Sequence, residues 1–109
     1  MGMKQVQTIE EFEVIERENR RFIFLKNSLT CPISHQAYDE YQKYVAEYDE
    51  SPTFYLHVQE ARPLSNHIEE KFAIRHQSPQ ALLIEDGKVI WEASHWHITK
   101  KSLTEAFNK

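Results

Sequence analysis

Cys31 is the only sulfhydryl in the chain, and it stands in the run Thr30-Cys31-Pro32-Ile33-Ser34-His35. The chemistry open to it is disulfide exchange, in which the thiolate is the nucleophile. Pro32 suits the first position of a helix, where its missing N–H costs nothing. Cys31 is therefore placed at a helix N-terminus. There, unpaired backbone N–H groups and the positive end of the helix dipole favour S⁻ over SH. Thiol pKa values at such sites fall to roughly 3.5–7.5, against about 8.5 for a free thiol. Ser34 lies one turn along the same helix face, where its hydroxyl can donate to the thiolate. His35 adds positive charge when protonated. A lone cysteine is more often a small buried hydrophobe than a nucleophile. The position of Cys31, after an apolar run and directly before a helix-initiating proline, reverses that reading. Ser34 cannot form a disulfide, so exchange at Cys31 stops at a mixed disulfide that an outside thiol must relieve.

The elements that must hold this loop are legible on either side of it. Thr8 and Glu11 form a capping-box pattern, followed by Ile9, Phe12 and Ile15 at helical spacing, with an end near Asn19. Phe22 to Leu25 is an uninterrupted apolar run, suited to a strand covered on both faces. After Pro32, the residues Ala37, Tyr38, Tyr41, Tyr44, Val45 and Tyr48 mark one helical stripe, which Ser51-Pro52 breaks. Phe54, Leu56 and Val58 alternate as a strand. Ala61, Leu64, Ile68 and Phe72 mark a helix with Pro63 near its start. Leu82-Leu83-Ile84 is a further core strand. Asp86-Gly87 signals a hairpin to Val89-Ile90-Trp91. Thr99 caps a last helix with Leu103, Ala106 and Phe107 inward, and Gln5 to Gln7 supplies an edge strand in front. Alternating strands and helices imply parallel pairing through right-handed crossovers, with the hairpin adding one antiparallel strand. The expected fold is α/β: a mixed central sheet, parallel strands plus a C-terminal β-hairpin, flanked by helices on both faces, in one domain over 1–109.

Composition narrows the chemistry. Among 109 residues, 40% are hydrophobic, enough for one sizeable core. The formal net charge is −4, and no basic run with interleaved aromatics occurs, so nucleic acid is not an expected partner. No apolar stretch reaches the roughly 20 residues of a membrane span, and Met1 to Glu10 lacks the pattern of a signal peptide. A cytoplasmic protein with no membrane partner is expected. A single cysteine agrees, since the cytosol keeps thiols reduced. Only two glycines occur, Gly2 and Gly87, so glycine-rich phosphate loops are absent.

The element order, with a Cys-Pro at the mouth of the helix after the first core strand, resembles the thioredoxin superfamily over essentially the whole chain. Its second signature is Ser78-Pro79, just before Leu82-Leu83-Ile84. In that superfamily a cis-proline stands there, against the active cysteine. The segment Thr30-Cys31-Pro32-Ile33-Ser34 is similar to that of the YtxJ-type monothiol bacilliredoxins, also called general stress proteins, of low-GC Gram-positive bacteria. Unlike ordinary thioredoxin, the chain has no Trp before the cysteine and has Ser34 where the second cysteine would be. The resemblance implies a thioredoxin-like fold and removal of bacillithiol from protein mixed disulfides. Cys31, Pro32 and Ser34 would be catalytic, and Thr30, Ser78 and Pro79 would contact substrate, with the backbone beside Pro79 pairing it in extended form. Bacillithiol carries malate carboxylates, so Lys26 and Arg75 are candidate cations for the cleft. No resident cofactor is implied; bacillithiol is a co-substrate. The implied partners are bacillithiolated client proteins, with bacillithiol or a second redox protein as the resolving thiol.

Other constellations rank lower. The six histidines show no HExxH or facial-triad spacing, although His95 and His97 would share a face if extended, and His57, His35 and His76 lie on or near the cleft elements. The tyrosine stripe is more often the core face of its own helix than a docking surface. An iron–sulfur carrier of monothiol-glutaredoxin type places Gly and Phe after its cysteine, where this chain has Pro32 and Ile33. A thioredoxin-fold adaptor or stress-response protein without catalysis is the non-enzymatic alternative; in it Cys31 would be dispensable.

Overall fold

The structure is a computed structural model and describes residues 3–48 and 51–108. Met1, Gly2, Asp49, Glu50 and Lys109, part of the domain expected over 1–109, lie outside the described residues. The chain runs β1 (Lys4–Gln5), α1 (Ile9–Glu18), β2 (Arg21–Asn27), α2 (Pro32–Glu47) and β3 (Thr53–His57). A 3-10 turn (Val58–Glu60), α3 (Arg62–Phe72), β4 (Gln80–Glu85) and β5 (Lys88–Ser94) follow. A second 3-10 turn (His95–His97) leads to α4 (Lys100–Phe107).

Local physics accounts for most of these boundaries. The Thr8 hydroxyl accepts from the Glu11 N–H at 3.1 Å, and Glu11 Oε1 accepts from the Thr8 N–H at 3.1 Å, so α1 begins on a reciprocal capping box. The Glu11 carboxyl is held below its usual range by the Gln7 N–H first, against desolvation, and then by Thr8. Thr99 and Ser102 make the same reciprocal pair at the start of α4. Asp86 (φ 52°) and Gly87 (φ 75°) both take positive φ, as a two-residue hairpin turn of type I′ requires. Thr8→Ala is expected to cost about 1 kcal/mol and to lower the thermal midpoint by about 4–8 °C. A calorimetric melt measures this directly.

The five strands lie in the order β1-β3-β2-β4-β5. β1, β3 and β2 are mutually parallel, β4 is antiparallel to β2, and β5 is antiparallel to β4. One strand is indeed reversed, but it is β4 rather than the returning hairpin strand, so β5 runs the same way as β2. The register shows why. His57, at the end of β3, faces Asn27, while Gln80, at the start of β4, faces Lys26. The connection through α3 leaves and re-enters the sheet at one end. Alternation of helix and strand in a sequence gives the order of the elements but not this return. A second correction concerns Val58, which opens a 3-10 turn instead of continuing β3.

Residues of β2 alternate between two cores. Phe22 and Phe24 join Phe12, Ile15, Leu56, Leu64 and Ile68 under α1 and α3. Ile23 and Leu25 join Ala37, Tyr41, Tyr44, Leu83 and Leu103 under α2 and α4. Helices therefore cover both faces, and the continuous apolar run in β2 is buried throughout. Tyr41 and Tyr44 are core residues, while Tyr38 and Tyr48 are half-buried. The Tyr41 hydroxyl reaches the carbonyls of Ile23 (3.1 Å) and Phe54 (2.8 Å), tying α2 to the sheet. Among the described residues, no helix is long and apolar enough to cross a membrane.

Candidate functional site at the mouth of α2

Cys31 is the N-cap residue of α2, with Pro32 in the first turn, and its side chain makes no capping bond. It is partly exposed and unpaired in any disulfide. The thiol is held below its ordinary pKa. The backbone N–H of Ser34 is the main cause; desolvation opposes it, and the Ile33 N–H and the Ser34 hydroxyl add to it. This is the helix-mouth effect: the N–H dipoles of the first turn favour a charged sulfur, although the Ser34 N–H also donates to the Cys31 carbonyl at 3.0 Å. Ser34 is completely buried. Its Oγ accepts from the Ser28 N–H at 3.3 Å, which leaves the hydroxyl proton for the sulfur. His35 is exposed, and its Nε2 lies 3.3 Å from the Leu29 carbonyl. This ring nitrogen is thus engaged with the loop, and His35 is not among the groups that lower the Cys31 pKa.

A residue that sequence reasoning missed organises the loop before Cys31. Gln59, on the turn after β3, accepts from the Leu29 N–H (3.0 Å) and donates to Ser28 Oγ (2.9 Å) and Thr30 Oγ1 (3.3 Å). Thr30 is exposed but is fixed by this clamp and by Ser28 Oγ at 3.4 Å. Nothing near Gln59 in the sequence signals the role, because its partners lie about thirty residues away. Gln59→Ala is expected to slow thiol exchange by about tenfold, the equivalent of one or two net hydrogen bonds. Stopped-flow rates with a small disulfide would show it, and an unchanged rate would mean that the loop holds itself.

The Ser78–Pro79 bond is cis, and Pro79 is buried at the start of β4. The ends of β2 and β3 and the start of β4 share one end of the sheet, so Cys31 and Pro79 are delivered to the same end. The Pro79 carbonyl accepts from the His95 N–H at 3.1 Å. Strand-like pairing with a substrate would therefore fall to the backbone of Ser78. The Ser78 Oγ is buried and has no partner among the described residues. His95 takes positive φ at the head of a 3-10 turn, so His95 and His97 do not share the face an extended segment would give them. No group of three His, Cys, Asp or Glu side chains gathers to hold a metal ion among the described residues.

Of the two cations suggested for the cleft, Arg75 is exposed; its carbonyl accepts from Gln80 Nε2 at 3.1 Å. Lys26 is placed differently. It is fully buried, continues the parity of Phe22 and Phe24, and points at α3 rather than α2. Its Nζ donates to the Ser65 carbonyl at 3.0 Å and lies 3.2 Å from His76 Nδ1. Lys26 offers no charge to a cleft ligand. Burial pushes its pKa down to about 8, with Glu69 opposing. On the other side of the loop, Asn27, Leu29, His35, Tyr38, Asp39 and His57 line an open groove of about 410 Å³. Asn27 Nδ2 lies 3.1 Å from His57 Nδ1, which makes that nitrogen the acceptor and leaves the His57 proton on Nε2.

Comparison with known proteins agrees with this geometry. A thioredoxin-fold protein described as a candidate oxidoreductase superposes with a TM-score of 0.91 at 38% identity, covering 96% of this chain and 93% of its own. Thioredoxin from Fasciola hepatica (TM-score 0.79, 16% identity, 97% of each chain) has the same fold. So does mitochondrial thioredoxin 3 from Saccharomyces cerevisiae (TM-score 0.76, 14% identity, 97% of this chain and 93% of that one). The family described as monothiol bacilliredoxin BrxC matches residues 4–103. With a lone cysteine at the helix mouth, a cis-proline at the same end of the sheet and that match, the chain belongs to the monothiol bacilliredoxin family, a family of thiol redox proteins with the thioredoxin fold.

Proposed function

We propose that this protein removes bacillithiol from protein mixed disulfides by a monothiol cycle at Cys31. The observation that carries the reading is a single cysteine at the N-cap of α2, its thiol pKa lowered by N–H groups, with a hydroxyl at position 34. The Cys31 thiolate attacks the bacillithiol sulfur of the client disulfide. The client sulfur leaves as a thiolate and takes a proton from water, and Cys31 is left disulfide-bonded to bacillithiol. A second thiol, from free bacillithiol or a partner redox protein, then attacks the bacillithiol sulfur. Cys31 leaves as a thiolate, and the new disulfide departs with the resolving thiol. The protein holds no electrons between turnovers and needs no resident cofactor. A cytoplasmic setting, where small thiols are abundant and reduced, suits the cycle.

Two surfaces fit the two halves of such a substrate. Leu29 (43% exposed) precedes Cys31, and Trp96 (61% exposed) follows the His95 that binds Pro79. These apolar side chains suit an extended client segment. The small thiol falls to the mixed polar and apolar groove at Tyr38 and His57, which Leu29 also borders and where Asp39 opposes its carboxylates. The test is incubation with a bacillithiolated client, followed by intact mass analysis of both proteins. The reading expects a free client thiol and one bacillithiol on Cys31. An unmodified Cys31 with an unchanged client would overturn it.

A further inference from the structure

Among the described residues, the most heavily buried charge lies at the site's end of the sheet, behind the substrate-facing loop. Lys26 occupies β2 between its register partners Leu56 of β3 and Gln80 of β4. An ammonium has only donors. It uses one on the Ser65 carbonyl (3.0 Å), and a second points at His76 Nδ1 (3.2 Å). The Ser65 hydroxyl also lies 3.3 Å from that nitrogen. His76 Nδ1 must therefore be unprotonated and accepting, with the ring proton on Nε2. The imidazole is held as a neutral acceptor facing a buried cation.

His76 lies within the segment 73–79 that joins α3 to β4 and ends in cis-Pro79. The segment is tied by polar contacts along its length. The His76 N–H donates to Glu69 Oε2 at 2.8 Å. Gln80 accepts from the Gln77 N–H at 3.4 Å and donates to the Arg75 carbonyl at 3.1 Å. Gln80 also donates to Glu92 of β5 at 3.0 Å, so that carboxylate is engaged with Gln80. Of the ties to residues 75–77, only the Lys26–His76 contact reverses sign when a proton is added.

We propose that Lys26 and His76 form an acid-sensitive latch: neutral His76 holds the segment 73–79, and with it Pro79, against the sheet, and protonation of the imidazole releases it. The groups facing the ring are Lys26 from β2 and Arg62 and Glu69 from α3. A proton on His76 gathers three positive charges around one carboxylate, whose Oε2 already accepts from the His76 backbone. Burial and then Lys26 hold the His76 pKa below that of an ordinary histidine, with Glu69 opposing. The latch is therefore closed at neutral pH and opens on acidification below that range. Lys26 and His76 are positioning residues; neither touches the reacting sulfur. The consequence for exchange rests on the proposed function. The latch itself does not.

The experiment has two arms on the full chain. In the first, His76 is titrated by NMR while amide exchange is followed at His76 and Gln77, whose N–H groups are hydrogen-bonded. The latch predicts that these amides lose protection, by up to about tenfold per pH unit, as the pH falls from the ordinary histidine range to the lowered pKa of the closed state, and that the loss levels off below it. Constant protection through the titration would overturn it. In the second, exchange with a protein mixed disulfide is compared with alkylation of Cys31 by iodoacetamide. The wild type is expected to show in client exchange an acid limb additional to the thiolate titration that the alkylation profile reports. His76→Gln offers Lys26 an acceptor that does not titrate, so it is expected to abolish that limb and keep the neutral rate. Persistence of the limb in His76→Gln would overturn the proposal. Lys26→Met provides an independent check, because without the cation His76 is expected to titrate at higher pH without loss of amide protection. Absence of client exchange at every pH would count against the proposed function and leave the NMR arm intact.

Discussion

Cys31→Ser is expected to leave no measurable thiol–disulfide exchange while the fold is retained. The loss is complete because the chain has no other sulfur nucleophile to take over. A serine hydroxyl is not appreciably ionised near neutral pH, so proximity to the helix mouth cannot rescue it. The same substitution is benign for the fold. Cys31 is partly exposed, takes extended backbone angles at the N-cap and makes no capping bond of its own. Serine is a preferred N-cap residue, and capping changes are typically worth about 1 kcal/mol, so the thermal midpoint should hold or rise. Paired exchange assays and melts separate the effects. A folded variant that still exchanged would show that the chemistry does not run through position 31, and one that still bound its partners would favour an adaptor.

Ser34→Cys is expected to change the product rather than only the rate. A thiol one turn along the helix from Cys31 can attack the Cys31–bacillithiol bond, release the small thiol and close a disulfide between positions 31 and 34. Intact mass should then show loss of two hydrogens in place of a bacillithiol adduct; one round should run to completion without added small thiol, and further turnover should require an outside reductant for the 31–34 disulfide. Persistence of the adduct would mean that the buried Ser34 position cannot reach the sulfur. Ser34→Ala separates the other contribution of this residue. It removes the hydroxyl that lowers the thiol pKa and leaves the Ser28 N–H without its partner at 3.3 Å. The backbone N–H of Ser34, the leading cause of the lowered pKa, survives. The expected loss of rate at neutral pH is therefore modest, roughly three- to tenfold, the scale of one hydrogen bond.

The features legible in the sequence are those whose physics is local. The capping box at Thr8, the buried run Phe22 to Leu25, the proline at the head of α2 and the Asp86-Gly87 turn each depend on residues within a few positions of one another. Cys31 and Ser34 belong with them, because a helix mouth is also a local object. What escaped depends on partners far along the chain. The reversed direction of β4 follows from where the α3 connection returns. Gln59 acts on a loop about thirty residues before it. Lys26 reads as a surface cation because lysine is almost never fully buried unless partnered. Its partners, the Ser65 carbonyl and His76, come from α3 and the segment before β4. His76 is legible in the sequence as a residue near the cleft, but its pairing with Lys26 and the Glu69 carboxylate is not.

The helix-mouth thiolate is the claim on which the functional reading stands. It is tested most directly by the pH dependence of Cys31 alkylation with iodoacetamide, which reports the thiolate fraction of the only thiol present. The predicted result is an inflection clearly below the free-thiol value of about 8.5, shifted upward in Ser34→Ala. An inflection at or above the free-thiol value, unmoved by Ser34→Ala, would contradict it.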